Sequence, residues 1–204
     1  MDVDAAQHWE AVYLDRGPDN VSWYQREPAI SLRLLALAGA RPGSSVVDIG
    51  GGASVLVDRL LDEGIEDACV LDISGAALDV SRRRLGSRAA TVTWLARDLL
   101  TWQPERRFDI WHDRAVFHFL TDPADRTRYA RVLEAALADG GRAVFGTFAG
   151  NGPEFCSGLP VERYGPEALA AEFPRLRLVH AENEQHHTPS GAVQEFTWVV
   201  LARP

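Results

Sequence analysis

Cysteine is scarce, with two in 204 residues, Cys69 and Cys156. Two thiols cannot build the disulfide framework of a small secreted scaffold, and Cys69 falls within an apolar, strand-like run. The chain therefore reads as a protein of the reducing cytoplasm. Positive charge is also short: 21 Lys and Arg against 29 Asp and Glu leave a net charge of −8. That balance argues against nucleic acid as a partner, because phosphate backbones are held by clustered cations. The one basic cluster, Arg82-Arg83-Arg84, lies at a predicted helix end and reads as a solvated face. No apolar run approaches the roughly 18–20 residues of a membrane span, and the acidic start MDVDAAQHWE lacks the apolar segment of a signal peptide, so no membrane partner is expected. Internal repeats and low-complexity tracts are missing as well. What remains, 46% hydrophobic and 25% charged residues, is the composition of one globular domain with its own core.

Val- and Ile-rich runs bounded by Gly, Pro and Asp predict strands at Ser45–Ile49, Ala68–Leu71, Val92–Ala96, Phe108–Trp111 and Arg142–Phe148. Between them, helical periodicity covers Val55–Glu63, Gly75–Leu85 and Ala124–Ala138, with Gly140-Gly141 as the expected helix stop. Alternating strands and helices imply a parallel sheet covered on both faces. The last third departs from that pattern. After the connection AGNGPEFCSGLPVERYG and a helix at Pro166–Glu172, strands at Leu176–Glu182 and Glu195–Leu201 follow one another with no helix between. They should pair antiparallel. Ahead of the first strand, Ala5–Leu14 and Pro28–Ala38 read as helices. The expected fold is thus α/β: a doubly wound, mostly parallel seven-stranded sheet with helices on both faces and a C-terminal antiparallel hairpin.

The stretch VVDIGGGASVLVDRL, residues 46–60, places a glycine turn at the end of the first strand, where open parallel sheets bind ligands. A dinucleotide fingerprint started at Gly50 needs glycine at position 55, which is Val55; started at Gly51 it fails at Ala53 and Leu56. A phosphate loop fails too, for want of Gly-Lys-Ser/Thr. Asp48 adds a physical objection, since a carboxylate there would repel a pyrophosphate at the next helix N-terminus. It suits a cationic, phosphate-free cofactor.

From about Val46 to Phe148 the chain resembles the class I S-adenosylmethionine-dependent methyltransferases. VVDIGGGAS is similar to the family's first motif, VLDIS to the second, ARDLL supplies Asp98, and FDIWHDRAVFHFL is similar to the fourth. The resemblance implies S-adenosyl-L-methionine as cofactor and S-adenosyl-L-homocysteine as product. It implies Asp48 near the methionine ammonium, Gly50, Gly51 and Gly52 in close backbone approach, and Asp72 on both ribose hydroxyls. Ile73 would pack on adenine, Asp98 and Leu99 would meet its edge, and His112 would lie beside the cofactor. Ser54 departs from the pattern where a third glycine often falls, and a serine there can cap the following helix.

Methyl transfer from a sulfonium asks mainly for alignment and exclusion of water, and a general base only if the nucleophile arrives protonated. Three segments should line the acceptor pocket. HDRAVFHF carries His112, Asp113, Arg114, Phe117 and His118. His118 is the leading candidate to touch substrate, against the alternative of a hydrogen-bonded structural histidine; His112 and Asp113 are further catalytic candidates, and Asp113 and Arg114 are equally suited to pairing with each other. The loop after the fifth strand adds Phe148 and Cys156, and the hairpin loop adds His186 and His187. Cys156, His186 and His187 are potential metal ligands but lack paired local spacing and a fourth member, so no metal is assigned. Trp9 and Tyr13, four residues apart, fit the buried face of a docking helix; alternatively Tyr13, Trp23, Tyr24 and Gln25 form a lid over the methionine end, which places Tyr13 and Trp23 among the cofactor contacts.

One domain, 1–204, accommodates all of this: a helical front segment or lid at 1–40, a cofactor-binding core at 41–148, and a substrate loop and terminal hairpin at 149–204. The short additions to the core fit a small-molecule acceptor with a nitrogen, oxygen or sulfur-like nucleophile. Two alternatives stand beside it. The opening HWEAVYLDRG…SWY is similar to that of some protein lysine methyltransferases, and a non-catalytic binding module would keep the fold alone. Nothing in the pattern sets an oligomeric state.

Overall fold

The computed structural model describes the backbone of residues 3–16 and 21–204, and the side chains of all of these except 3–5 and 13–16. Seven strands form the main sheet: β1 (Ser45–Ile49), β2 (Asp67–Asp72), β3 (Thr93–Ala96), β4 (Phe108–Arg114), β5 (Leu137–Phe148), β8 (Arg177–His187) and β9 (Val193–Ala202). Their spatial order is β3-β2-β1-β4-β5-β9-β8. β1 to β5 run parallel, β9 is antiparallel to β5, and β8 is antiparallel to β9. Strand order reverses between β1 and β4, so a crevice opens at the carboxyl ends of these two strands. A small second ladder, β6 (Phe155–Cys156) with β7 (Leu159–Pro160), interrupts the connection after β5.

Period-two alternation along the strands divides the core between the two faces. Val47, Ile49, Leu71, Trp111 and Phe145 point to one face, covered by Tyr129 and Leu133 of α5 (Pro123–Ala136) and Leu169 of α6 (Pro166–Ala171). Val46, Val70, Ile110, Val144 and Trp198 point to the other. There they meet Leu34 and Leu35 of α2 (Ala29–Leu37), Leu56 and Leu60 of α3 (Leu56–Asp62), and Leu78 of α4 (Gly75–Leu85). Helix α1 (Val3–Arg16) lies across the front, touching α4. Two helix starts are fixed by side chains: Ser74 accepts from the Ala77 N–H, and Asp122 accepts from the Ala124 N–H ahead of Pro123. Such a cap is worth about 1 kcal/mol each.

The expected sheet and its terminal hairpin are present, and several boundaries differ. The first hairpin strand, expected to end at Glu182, runs on to His187, so His186 and His187 are strand residues paired with Gln194 and Val193 rather than loop residues. The helix expected over Ala124–Ala138 ends at Ala136, and Gly140-Gly141 lies inside β5 rather than stopping a helix. There Gly140 takes a positive φ of 75°, and the β4–β5 register shifts between Phe108 and Ile110. A glycine pair in a strand marks a bulge as readily as it ends a helix. β4 runs three residues beyond Trp111 to Arg114, because polar His112 and Asp113 are paired within the fold and behave as strand residues. The β6–β7 ladder lies within a segment expected to be loop. No helix among the described residues is long and apolar enough to cross a membrane.

Candidate functional site

Two adjoining clefts open at the switch point, sharing Trp23, Ile49, Gly50 and Arg114. One runs past Leu71, Asp72, Ile73, Arg97 and Leu99 on the β2–β3 side to Trp9, Phe119 and Cys156. The other runs past Asp48, Gly51, Ser54 and His112 toward Tyr24, Gln25 and Ser31.

The glycine turn leaves no room for side chains. Gly50 sits at φ 66°, and a Cβ there would stand 2.1 Å from Val116 Cγ2. A Cβ on Gly51 would stand 2.4 Å from Asp48 Oδ2. Glycine here serves both a left-handed backbone and close approach. Behind the turn, buried Asp48 accepts from His112 Nδ1 at 2.7 Å, and His112 Nε2 lies 3.0 Å from the Ser31 hydroxyl. A carboxylate on Nδ1 holds the proton there, so Nε2 accepts from Ser31. Ser31 carried a signal that was missed: a small polar residue in helical phase with buried Leu34 and Leu35.

At the end of β2, Asp72 accepts from the Ser74 N–H at 2.8 Å. Burial pushes its carboxyl up to about 7, against the lowering effect of that backbone bond; Asp48 and Glu10 add repulsion. Donors that complete the carboxylate's shell would reverse that rise. Glu10 of α1 also accepts from the Ala76 N–H at 3.3 Å, tying α1 to the start of α4. Asp98, half-buried, accepts from the Leu100 N–H at 2.9 Å, and the backbone then turns Leu99 into the cleft wall. A cationic ligand with a diol and an apolar ring system fits this half: carboxylates stand at two strand ends, glycine backbone lies between them, and Ile73 and Leu99 form the apolar wall.

The segment after β4 divides differently from expectation. Asp113 is fully buried and does not pair with Arg114. It accepts from Tyr129 Oη and from the Val116 and Phe117 N–H groups, the first of these N–H bonds at 2.9 Å. Burial raises its carboxyl to about 6, while the Tyr129 hydrogen bond pulls the other way. Phe117 joins Tyr129, Phe145, Tyr164 and Phe173 in the core on the α5 face. His118 is fully buried between Phe119 and Phe148, and its Nδ1 accepts from the Phe148 N–H at 3.3 Å. Burial, then Arg114, lower its pKa to about 3, so the ring is neutral. None of Asp113, Phe117, His118 and Phe148 lines either cleft. Alternation along β4, with a tight turn that includes Ala115 at φ 67°, sends Asp113, Phe117 and His118 inward and leaves Arg114, Ala115 and Val116 lining the cleft, while Phe148 ends β5.

Among the remaining candidates, Cys156 is buried in the cleft wall, its thiol pushed up to about 11 by burial. His186 is buried against Phe196 and donates from Nε2 to the Ser22 carbonyl at 2.9 Å; burial lowers its pKa. His187 is exposed. Among the described residues, no group of three or more His, Cys, Asp or Glu side chains is placed to hold a metal. Trp9 packs edge-to-face on Trp23 and Phe119, at centroid distances of 5.6 and 5.1 Å. The docking face and the cleft wall are thus one and the same for Trp9. The Tyr13 side chain lies outside the described residues.

Residues 47–143 match the model of a methyltransferase domain family. Over 142 residues, 69% of the chain, it is 28% identical to the eEF1A lysine and N-terminal methyltransferase of Mus musculus, and it spans about a fifth of that protein's length. The fold is that of N-methyltransferase NodS from Bradyrhizobium japonicum crystallised with S-adenosylhomocysteine: TM-score 0.75, 17% identity, covering 97% of this chain and 98% of that one. It is also that of the Burkholderia thailandensis 1,6-didemethyltoxoflavin-N1-methyltransferase with 1,6-didemethyltoxoflavin and S-adenosylhomocysteine bound, at TM-score 0.69 and 19% identity over 98% of this chain and 84% of that one.

Proposed function

We propose, from the premise that this chain belongs to the class I S-adenosylmethionine-dependent methyltransferases, that its acceptor is a small molecule. The observation that carries this is the aromatic wall at one end of the first cleft. Trp9 packs edge-to-face on Trp23 and Phe119 there, and Arg114 and Cys156 line the same cleft. Such a compartment seats a compact body and keeps water off the reacting groups.

In this reading residues 41–148 hold the cofactor, and residues 1–40 and 149–204 supply the acceptor compartment. Asp48, oriented by His112 and Ser31, faces the methionine ammonium. Gly50, Gly51 and Gly52 let the backbone approach, and Asp72 accepts from the ribose hydroxyls. Ile73 and Leu99 pack on adenine, with Asp98 at its edge. S-adenosylmethionine supplies a methyl carbon on a sulfonium, whose positive charge disappears as the methyl leaves. The chain's own contribution is alignment and exclusion of water. Neutral, buried His118 positions the Phe148 backbone rather than taking a proton, and Asp113 holds the turn that presents Arg114.

A protein lysine acceptor is the second reading, favoured by the 28% identity to the mouse enzyme. Transfer of labelled methyl from S-adenosylmethionine in a cell lysate separates the two. Label in the low-molecular-weight fraction is the expected result, and label confined to protein would overturn it.

A further inference from the structure

Arg114 ends β4, lines both clefts and packs on β9 of the β5-β9-β8 half of the sheet. Its guanidinium stands over the Phe196 ring of β9 at 4.8 Å, and its Nη1 donates to the Trp23 carbonyl at 2.8 Å. The other two nitrogens, Nε and Nη2, are buried and have no partner among the described residues. These two share one edge of the planar guanidinium, the edge that meets both oxygens of a carboxylate in a fork. Glu184 is the carboxylate that acts on Arg114 through space, yet its own oxygens accept from Trp198 Nε1 at 2.7 Å and Gln25 Nε2 at 3.3 Å. It offsets part of the charge and leaves the fork unmet. Burial brings the Arg114 pKa down to about 10, which still leaves it cationic at neutral pH. A buried cation with an open fork is stable only at a cost that a bound anion removes.

Around that fork the cleft wall is apolar, made of Trp9, Trp23, Val116 and Phe119. We propose that the methyl acceptor carries a carboxylate, seated on the Nε–Nη2 edge of Arg114, with an aromatic or apolar body against Trp9, Trp23 and Phe119. This rests on the methyltransferase reading of the same clefts. A lysine ammonium entering here would meet a like charge. The cofactor's own carboxylate is the competing anion, and the packing of Arg114 on β9 favours the acceptor.

The test uses the full chain saturated with S-adenosylhomocysteine, titrated with benzoate, phenylacetate and indole-3-acetate and with the matching amides, by calorimetry and thermal shift. At least one acid is expected to bind about tenfold or more tighter than its amide, and Arg114→Gln to abolish that preference. S-adenosylhomocysteine affinity should stay within about fivefold in the variant. Three results overturn the proposal: no acid exceeds its amide, the preference survives Arg114→Gln, or the variant loses S-adenosylhomocysteine itself, which would assign Arg114 to the cofactor. Should the variant not fold, the acid-to-amide contrast in the wild-type protein decides alone. Failure of the wild-type protein to bind S-adenosylhomocysteine is a separate outcome and overturns the methyltransferase reading instead.

Discussion

At the ends of β1 and β2, the carboxylates that line the clefts each have a protein donor, His112 for Asp48 and the Ser74 N–H for Asp72, and Asp98 after β3, which lines neither cleft, accepts from the Leu100 N–H. Arg114, at the end of β4, is different: it lines both clefts, yet its Nε and Nη2 are buried with no partner among the described residues. The first group is preorganised by short-range contacts. Arg114 holds an unmatched edge toward the cleft, which a ligand can complete. A cofactor shared by many enzymes can be served by a stereotyped turn, whereas an acceptor is read by groups collected for it alone.

The hinge between the halves is Asp113, so breaking it should have the largest effect. Asp113→Ala takes the acceptor from the Tyr129 hydroxyl proton, whose oxygen still accepts from Trp111 Nε1, and from two backbone N–H groups in the core. At about 1–3 kcal/mol for a buried group left unpaired, a stability loss of about 3 kcal/mol is expected in urea unfolding. Affinity for S-adenosylhomocysteine in the folded fraction should change little. Lost transfer at full stability would instead put Asp113 in the chemistry. Asp72→Ala is the opposite case. Cofactor binding should weaken by about 1–3 kcal/mol, while the ligand-free protein should lose little stability, because removal of a carboxyl that burial holds at about 7 offsets the lost acceptor of the Ser74 N–H.

The cofactor half was legible because its geometry is local. Asp48 and the glycines lie within five residues, and a positive φ at Gly50 can be anticipated from glycine itself. Sheet order followed from alternation, and the terminal hairpin from two strands with no helix between. The acceptor half resisted because its contacts are distant: Arg114 meets Trp23, 91 residues away, along with Phe196 and Glu184. Spacing could nominate Phe117 and His118, yet only the turn after β4 decides that they point into the core. His112 was placed beside the cofactor, but its partnership with Ser31, 81 residues away, has no local signature.

A smaller effect separates the halves by pH. Burial lifts Asp72 to about 7 and Asp113 to about 6 from the ordinary 3.8. Between about pH 4 and 7 the folded chain therefore keeps protons that the unfolded chain has released, and ligand-free stability falls as pH rises through that window. Ribose hydroxyls donating to Asp72 favour its ionised form, so S-adenosylhomocysteine affinity should rise with pH through 7. Calorimetry in buffers of different ionisation enthalpy should find proton release on binding near neutrality. In Asp72→Ala that release should vanish, and a persistent one would place the titrating group elsewhere.

The smallest effect concerns the motif's one mismatch. Ser54 stands where a third glycine often falls, and its hydroxyl accepts from the Leu56 N–H at 3.1 Å while its carbonyl accepts from Arg84 Nη2 at 2.6 Å. Both bonds secure the entry to α3, and the carbonyl bond survives any side-chain change. Ser54→Gly should thus cost only a few tenths of a kcal/mol in stability. Its side chain borders the methionine-side cleft but is exposed, so cofactor affinity should stay within about twofold, a difference under about 0.5 kcal/mol. A larger loss of affinity would make Ser54 a cofactor contact, and the cofactor half would then depend on a side chain as well as on its glycine backbone.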